Sequence, residues 1–334
     1  MRRYAIRRSL TVVPVLLGIS LLVFGFIHLI PGDPAVTMLG ERATPEKVAE
    51  VRARLGLDRP IWQQYLIYLG KALHGDLGLS IVRGDPVLTD LLRRFPATVE
   101  LATAAICLAI AGGVPVGIVS AVWRRSLVDS LARVWALTGV SMPIFWLGVM
   151  LAWVFGVELG WLPTGARLDT AADYEPWTYF VIPDALLQRD WAMARDALRH
   201  LVLPAVALAT IPLAVVARMM RASMLEVLSR DYIRTADAKG LGRAAVILRH
   251  GLRNALLPVL TVIGLQVGAL LAGAILTETI FSWPGIGRWV YEAIESRDYP
   301  IVQGASLFVG VVVVLVNLAT DLLYAAVDPR IKYD

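Results

Sequence analysis

The chain has 334 residues, of which 57% are hydrophobic and only 18% are charged. A soluble globule of this size needs more polar surface than this composition supplies, so the soluble globular classes are excluded. The net charge of +5 is weak evidence about partners, because the cytoplasmic loops of membrane proteins collect lysine and arginine anyway. The single cysteine, Cys107, excludes an internal disulfide and a cysteine-cluster metal site.

The first predicted element is a long apolar helix at residues 9–30. It is long enough to cross a bilayer and has no Ala-x-Ala ending, so we do not expect a cleavable signal peptide. Residues 1–30 are therefore predicted to be a cytoplasmic N-terminus and a first membrane span. The arginines before the helix are expected to hold this end in the cytoplasm: Arg2, Arg3, Arg7 and Arg8.

A polar insert follows at residues 31–95 and begins with the turn sequence Pro31-Gly32-Asp33-Pro34. Thr44-Pro45 predicts the start of a helix that ends at Gly56, and Asp58-Arg59-Pro60 predicts the start of a second helix. Basic and acidic residues nearly balance, and long inserts are translocated whatever their charge. We therefore expect a small external helical insert and not an independent domain.

Residues 96–334 hold five further apolar runs that are predicted to be membrane spans. Proline predicts a kink at Pro115, a break at Pro143, and a fourth span that is not a straight helix, because it holds Pro204 and Pro212. The predicted spans are about 97–122, 134–155, 201–217, 255–276 and 302–326.

Loop charge orients these spans. The loop after the third span is acid-rich and is therefore expected outside, whereas the loop at 218–254 is basic and is expected inside. The sequence thus predicts an all-α integral membrane protein with six transmembrane helices and both termini in the cytoplasm.

The basic hinge, residues 229–258, connects the fourth and fifth spans. Ser229 is placed to cap a short helix, and Gly240 permits the backbone to reverse where that helix ends. A second amphipathic helix is predicted after the reversal. Ala236 lies four residues before Gly240, so both small side chains share one helical face and leave room for a partner. A compact helical elbow with a basic rim is typical of a docking element.

Two stretches of the hinge carry a family resemblance: Tyr232-Ile233-Arg234-Thr235-Ala236-Asp237-Ala238-Lys239-Gly240, and Arg249-His250 with Arg253-Asn254-Ala255-Leu256-Leu257-Pro258. They resemble the cytoplasmic coupling loop of binding-protein-dependent ABC importer permeases, and most closely the B-type permease of the peptide, nickel and glutathione importers. The general importer pattern, Glu-Ala-Ala, three residues, Gly, is met only at Ala236 and Gly240, as in the peptide-importer branch.

The resemblance implies that the hinge lies in a groove of a partner ATPase subunit. The alternative is an ordinary basic loop that is positive only because it is cytoplasmic. The residues expected to contact the ATPase are Tyr232, Arg234, Thr235, Ala236, Lys239, Gly240 and Leu241.

Other segments are similar to the same family, so the resemblance covers nearly the whole chain. It implies the type I ABC importer permease fold in the plasma (inner) membrane of a prokaryote. The implied partners are a second homologous permease in a heterodimer, two ATPase subunits or domains, an extracytoplasmic substrate-binding protein and membrane lipid, with no nucleic acid. The expected cargo is a di- or oligopeptide, with nickel and glutathione as alternatives. The segments are 31–34, 75–80, 278–288, 297–300 and 328–333.

Two catalytic motifs are absent from the sequence. It contains no Gly-x-x-x-x-Gly-Lys-Ser/Thr phosphate loop and no His-Glu-x-x-His zinc motif. We therefore expect no catalytic residue, no metal site and no cofactor in this chain, with ATP and magnesium bound by partner subunits.

Polar residues inside predicted spans are costly unless they have partners. Hydrogen bonding between helices is the ordinary explanation for them, and Gln266 and Asn317 are also candidates for a polar pathway. Asp321 is placed to pair with a basic loop residue. Gly264 and Gly268 indicate close helix packing.

A stand-alone secondary transporter is the alternative function of a different class. Six spans are few for such a carrier, and the two halves of the chain show no internal duplication. Nor does the sequence contain the chain of intramembrane carboxylates or histidines that proton coupling usually needs.

Overall fold

The structure is a computed structural model that describes residues 2–29, 35–36, 43–169 and 174–327. The long apolar runs form helices, because a chain in hydrocarbon must satisfy its backbone hydrogen bonds internally. A π-helical segment, Ala152–Glu158, extends α6, and another, Val246–Leu252, joins α10 to α11. In chain order the helices are α1 (Arg2–Leu29), α2 (Pro45–Leu55), α3 (Ile61–Leu73), α4 (Val87–Val122), α5 (Leu127–Ser141), α6 (Ile144–Leu151), α7 (Val181–Leu187), α8 (Trp191–Leu228), α9 (Asp231–Ala238), α10 (Arg243–Ala245), α11 (Arg253–Gly273), α12 (Ile275–Ile280), α13 (Ile286–Glu295) and α14 (Tyr299–Val327).

Six apolar segments match the six predicted spans. The third predicted span is split at Pro143, as expected, since α5 ends at Ser141 and α6 begins at Ile144. Its apolar part, Ile144–Glu158, is shorter than the others. In the described part of the chain, five helices are long and apolar enough to cross a membrane: Ile6–Gly25, Val87–Val122, Trp191–Leu228, Arg243–Ala272 and Tyr299–Leu322.

The second helix of this set starts earlier than the sequence predicts. α4 begins at Val87, not at residue 97, and continues through Pro96 and Pro115 without a break. Proline is tolerated in a membrane helix because neighbouring groups compensate for the missing backbone hydrogen bond. Residues 87–95, which the sequence assigns to the polar insert, are therefore helical and belong to α4.

The helix that carries the fourth predicted span, α8, is longer than the sequence predicts. α8 is one continuous helix through Pro204 and Pro212, where the sequence predicts a shorter span at 201–217. Both prolines are buried against neighbouring helices, which is the environment in which a membrane helix accommodates them. The first part of the segment predicted to be a basic loop, residues 218–228, is therefore helical and belongs to α8.

The polar insert contains two short helices, as predicted. The side chain of Thr44 caps α2 by accepting a hydrogen bond from the N–H of Lys47 at 3.4 Å. Gly56 ends that helix with φ of 72°, a left-handed conformation that glycine adopts without strain. The predicted turn at 31–34 and the C-terminal segment 328–333 lie outside the described residues.

Buried Asp298, just before α14, ties the insert to the rest of the fold. Its carboxylate accepts hydrogen bonds from Ser80 Oγ at 2.5 Å and from the N–H groups of Ile81 at 3.1 Å and Val82 at 3.2 Å. Two segments that carry the family resemblance, 75–80 and 297–300, therefore meet at one side chain.

The centre of the fold is a close backbone contact between α4 and α8. A Cβ atom built on Gly113 would lie 2.8 Å from the carbonyl oxygen of Leu213. One built on Gly117 would lie 2.6 Å from the carbonyl oxygen of Ala217. Glycine at these positions lets the two helices approach closely, which is a usual way for membrane helices to associate.

The predicted Gly264 and Gly268 contact is confirmed between α11 and α14. A Cβ atom on Gly264 would collide with Thr320, and one on Gly268 would lie 3.3 Å from Asn317 Oδ1. α1 covers the other side of α14, where Ile19 packs against the backbone of Gly310.

We expect Gly117→Ala to destabilise the protein, because the added carbon would lie 2.6 Å from both the Ala217 oxygen and Met220 Cβ. Overpacking of this kind typically costs about 1–3 kcal/mol. Gly18→Ala is the matched control, since a Cβ there meets no atom within 4 Å in the described part of the chain. Thermal unfolding in detergent should show a lower Tm for Gly117→Ala and an unchanged or higher Tm for Gly18→Ala. Equal Tm values for the two variants would contradict the α4–α8 contact.

Candidate functional site

The hinge begins where α8 ends, and here one prediction is wrong. Ser229 does not cap the following helix; it is the C-cap of α8, and its Oγ donates a hydrogen bond to the carbonyl oxygen of Glu226 at 2.7 Å. Arg230 takes the N-cap position of α9 with extended backbone and no side-chain capping bond. Asp231 lies in the first turn, where its charge is favourable against the helix dipole.

The chain reverses after α9 at the predicted glycine. Gly240 has φ of +75°, and its N–H donates to the carbonyl oxygen of Asp237 at 2.9 Å. Gly242 returns to extended backbone with φ of −60°, and α10 begins at Arg243. A Cβ atom on either glycine would meet no atom of the described residues within 4 Å. The reversal is therefore set by backbone conformation and not by crowding.

A small apolar cluster fixes the hinge to the end of α8. Ile233, Ala236 and Val246 are buried together, with Val227 and Leu228 of α8 packed against them. Ala236 is only 6% exposed. The predicted open face shared by Ala236 and Gly240 is therefore only half right: Gly240 is open, whereas Ala236 is already covered by the chain itself.

A hydrogen bond joins the two halves of the hinge. Asn254 Nδ2 donates to Tyr232 Oη at 3.0 Å and to the carbonyl oxygen of His250 at 3.1 Å. α9 is thus connected to the start of α11 as well as to the end of α8. A displacement of α9 would act on two long helices at once.

The outer face of the hinge combines exposed apolar and basic groups. Its ion pair between Arg234 and Asp231, at 3.4 Å, is solvent-exposed and therefore contributes little to stability, so the arginine is available to a partner. Leu248, 56% exposed, extends the apolar part and was not among the residues predicted from sequence. Of the predicted contact residues, those that are exposed are Tyr232, Arg234, Thr235, Lys239, Gly240 and Leu241.

A buried ion pair near the same end of the bundle was not predicted. Asp129, on α5, is 1% exposed. It accepts hydrogen bonds from Arg221 Nε at 2.8 Å, Arg221 Nη2 at 2.9 Å and Ser120 Oγ at 2.5 Å. The hydrogen bonds from Arg221 above all, against the opposing effect of burial, hold the pKa of Asp129 well below its usual range. No local sequence signal links residues on three different helices.

The polar span residues do not converge on one site. Asn317 lies against Gly268, which fits the helix-to-helix explanation. Asp321 pairs with Arg8, so its basic partner comes from the N-terminal arginines and not from a loop. Gln266 is half-buried on α11.

Charged groups hold the loops at the other end of the bundle. Glu100 pairs with Arg167 at 2.6 Å, and both side chains are largely buried. Glu278 is fully buried and accepts hydrogen bonds from Thr98 Oγ1 at 2.7 Å and from the N–H of Arg288 at 2.9 Å. Burial raises the pKa of Glu278 despite these bonds. Among the described residues, no group of three or more His, Cys, Asp or Glu side chains is arranged to hold a metal ion.

Comparison with known proteins identifies relatives over the whole chain. Residues 113–333 match the family described as binding-protein-dependent transport system inner membrane component, and residues 1–102 match its N-terminal counterpart. The dipeptide transport system permease protein DppB of Escherichia coli strain K12 is 52% identical, covering 100% of this chain and 99% of that protein. The di/tripeptide transport system permease protein DppB of Pseudomonas aeruginosa strain UCBPP-PA14 is also 52% identical, with the same coverage of 100% and 99%.

A solved structure supports the fold. A chain of the MetNI methionine ABC transporter, in an inward-facing conformation, matches with a TM-score of 0.51 at 16% sequence identity. The match covers 71% of this chain and 96% of that chain. The predicted permease fold and the family resemblance are thus confirmed. This chain belongs to the family of inner membrane components of binding-protein-dependent transport systems.

Proposed function

We propose that the chain is the B-type permease subunit of an ATP-driven importer of di- or oligopeptides, and that it forms half of the translocation pathway. The observation that carries this proposal is 52% identity over the whole chain with a dipeptide permease. Nickel and glutathione remain the alternative cargoes of the same subfamily, and a transport assay with each cargo decides between them.

The proposed assembly contains a second, homologous permease, two ATPase subunits and an extracytoplasmic binding protein. ATP and magnesium bind the ATPase subunits, and this chain is non-catalytic. The proposed orientation has both termini and the hinge in the cytoplasm, which the basic composition of residues 229–258 supports.

In this proposal the exposed face of α9 docks on an ATPase subunit. Leu241 and Tyr232 supply apolar contact, being 41% and 43% exposed, and Arg234 and Lys239 supply positive charge. The buried cluster at Ile233 carries motion of α9 to α8, and the bond between Tyr232 and Asn254 carries it to α11. Since both long helices contribute to the bundle, movement of the ATPase subunits would change the shape of the pathway.

Uptake in reconstituted vesicles tests this function. A complex of this chain with its partner permease, two ATPase subunits and the binding protein should hydrolyse ATP and take up a labelled dipeptide, whereas the isolated chain should hydrolyse none. Uptake of glutathione or nickel with no dipeptide uptake would assign the alternative cargo. ATP hydrolysis by the isolated chain would contradict the non-catalytic role.

Site-directed labelling in intact cells tests the orientation. Tags at Gly84 and Tyr174, in the loops proposed to be external, should react with a membrane-impermeant reagent. A tag at Gly242 should react only after the membrane is permeabilised, because the hinge is cytoplasmic in this proposal. Labelling of Gly242 in intact cells would contradict the proposed orientation.

Gly240→Val should reduce uptake without preventing membrane insertion, because a branched side chain at φ of +75° strains the reversal that presents α9. The left-handed conformation costs roughly 1–2 kcal/mol for such a residue. The matched control is Gly242→Val, since Gly242 is equally open but has φ of −60°. ATPase co-purification and dipeptide uptake, at equal membrane amounts, should fall for Gly240→Val only. Unchanged uptake in Gly240→Val would mean that the hinge is only a linker between two helices.

A further inference from the structure

A cavity with an arginine rim lies between α4, α5 and α8 at the hinge end of the bundle. Its volume is about 320 Å³, near the lower end of the range for small-ligand pockets. Its floor is made of small side chains on facing helices, so it has room for a compact polar group. The lining residues are Val116, Gly117, Ser120, Ala132, Arg133, Ala217, Arg218, Arg221 and Ala222.

The charges around this cavity are not balanced. Arg133, Arg218 and Arg221 line it, and Asp129 is the carboxylate bonded to this set. That carboxylate forms an ion pair with Arg221 at 2.8 Å and lies 3.5 Å from Arg133. Arg218 is exposed, and among the described residues no carboxylate pairs with it. The cavity therefore carries an excess of positive charge that suits an anionic group.

The position of the cavity favours the headgroup of a lipid. It lies where apolar membrane-length helices approach their hinge-side ends, and Trp123 directly follows α4 with 54% of its surface exposed. Trp135 of α5 is also exposed, at 57%. Exposed tryptophans of this kind mark the level of lipid headgroups. Basic pockets between membrane helices on the cytoplasmic side are suited to anionic headgroups.

An apolar surface lies beside the charged cavity. Leu127, Leu131 and Val134 recur at helical spacing on α5 and are 82%, 68% and 60% exposed. They follow one face of the helix whose other residues, Ala132 and Arg133, line the cavity. A ligand with both a phosphate and hydrocarbon chains is accommodated here better than free phosphate, because both kinds of surface are present on one helix.

We propose that this cavity binds the phosphate of an anionic phospholipid in the cytoplasmic leaflet, with Arg133 and Arg218 as the principal contacts. Arg221, held by Asp129, would supply a fixed positive charge at the floor. The inference uses the orientation given under the proposed function, but it requires neither the peptide cargo nor ATPase coupling.

Lipid titration of the purified chain in neutral detergent tests the proposal. Phosphatidylglycerol should raise the Tm and remain bound in native mass spectrometry, whereas phosphatidylcholine should do neither. The Arg133→Gln/Arg218→Gln variant should bind phosphatidylglycerol more weakly, on the order of fivefold per arginine removed. The control variant Arg243→Gln/Arg249→Gln removes equal charge from the hinge, outside the cavity, and should bind like the parent.

The single variant Arg218→Gln keeps the test decisive if the double variant does not fold, since Arg218 is exposed and has no ion-pair partner among the described residues. A third titration uses inorganic phosphate alone. If it stabilises the parent as strongly as phosphatidylglycerol does, the lipid assignment is overturned. Equal phosphatidylglycerol binding by the parent and the cavity variants would also overturn the proposal. Because no cargo or ATP is present, either result leaves the transport proposal to its own test.

Discussion

The backbone contact between α4 and α8 is the constraint on which the rest of the bundle depends. Gly113 and Gly117 bring α4 so close to α8 that a single added carbon would meet a main-chain oxygen. This approach lets Ser120 and Arg221 reach one carboxylate, that of Asp129, and thereby attaches α5 to both helices. Further along, buried side chains of α4, α8 and α11 form a common core. The spacing of α4 and α8 therefore sets what every neighbouring helix can contact.

Buried carboxylates hold the loops at the end of the bundle away from the hinge. Glu278, Asp298 and Asp184 are each at most 1% exposed, and hydroxyl and backbone N–H groups satisfy them. Burial alone would raise the pKa of Asp184, but its hydrogen bonds, chiefly those from Thr178, lower it overall. A buried charge is costly unless it is hydrogen-bonded in this way. Each carboxylate accepts hydrogen bonds from backbone N–H groups. It therefore orders a loop that has no regular secondary structure of its own.

The hinge follows a different principle, because it is small and largely exposed. It is held by a few buried apolar residues and by one hydrogen bond between Tyr232 and Asn254. Its outer face is exposed among the described residues, with leucine and tyrosine beside arginine and lysine. Because the hinge is fixed on its inner side and exposed on its outer side, it is suited to transmit the movement of a bound partner to α8 and α11. The nearby arginine cavity lies on α8 as well, so lipid and coupling partner would act on the same helix.

The sequence by itself determined the class of the protein, the approximate position of its spans, the break at Pro143 and the reversal at Gly240. These depend on composition, hydrophobic run length and backbone preferences, which are local properties. Only the tertiary structure decided that α4 and α8 continue through their prolines, since their neighbours make proline tolerable. It also decided that Ala236 is covered, that Ser229 ends a helix, and that Asp129 meets Arg221. Each of these depends on residues that lie far apart in the chain and meet only when the helices pack.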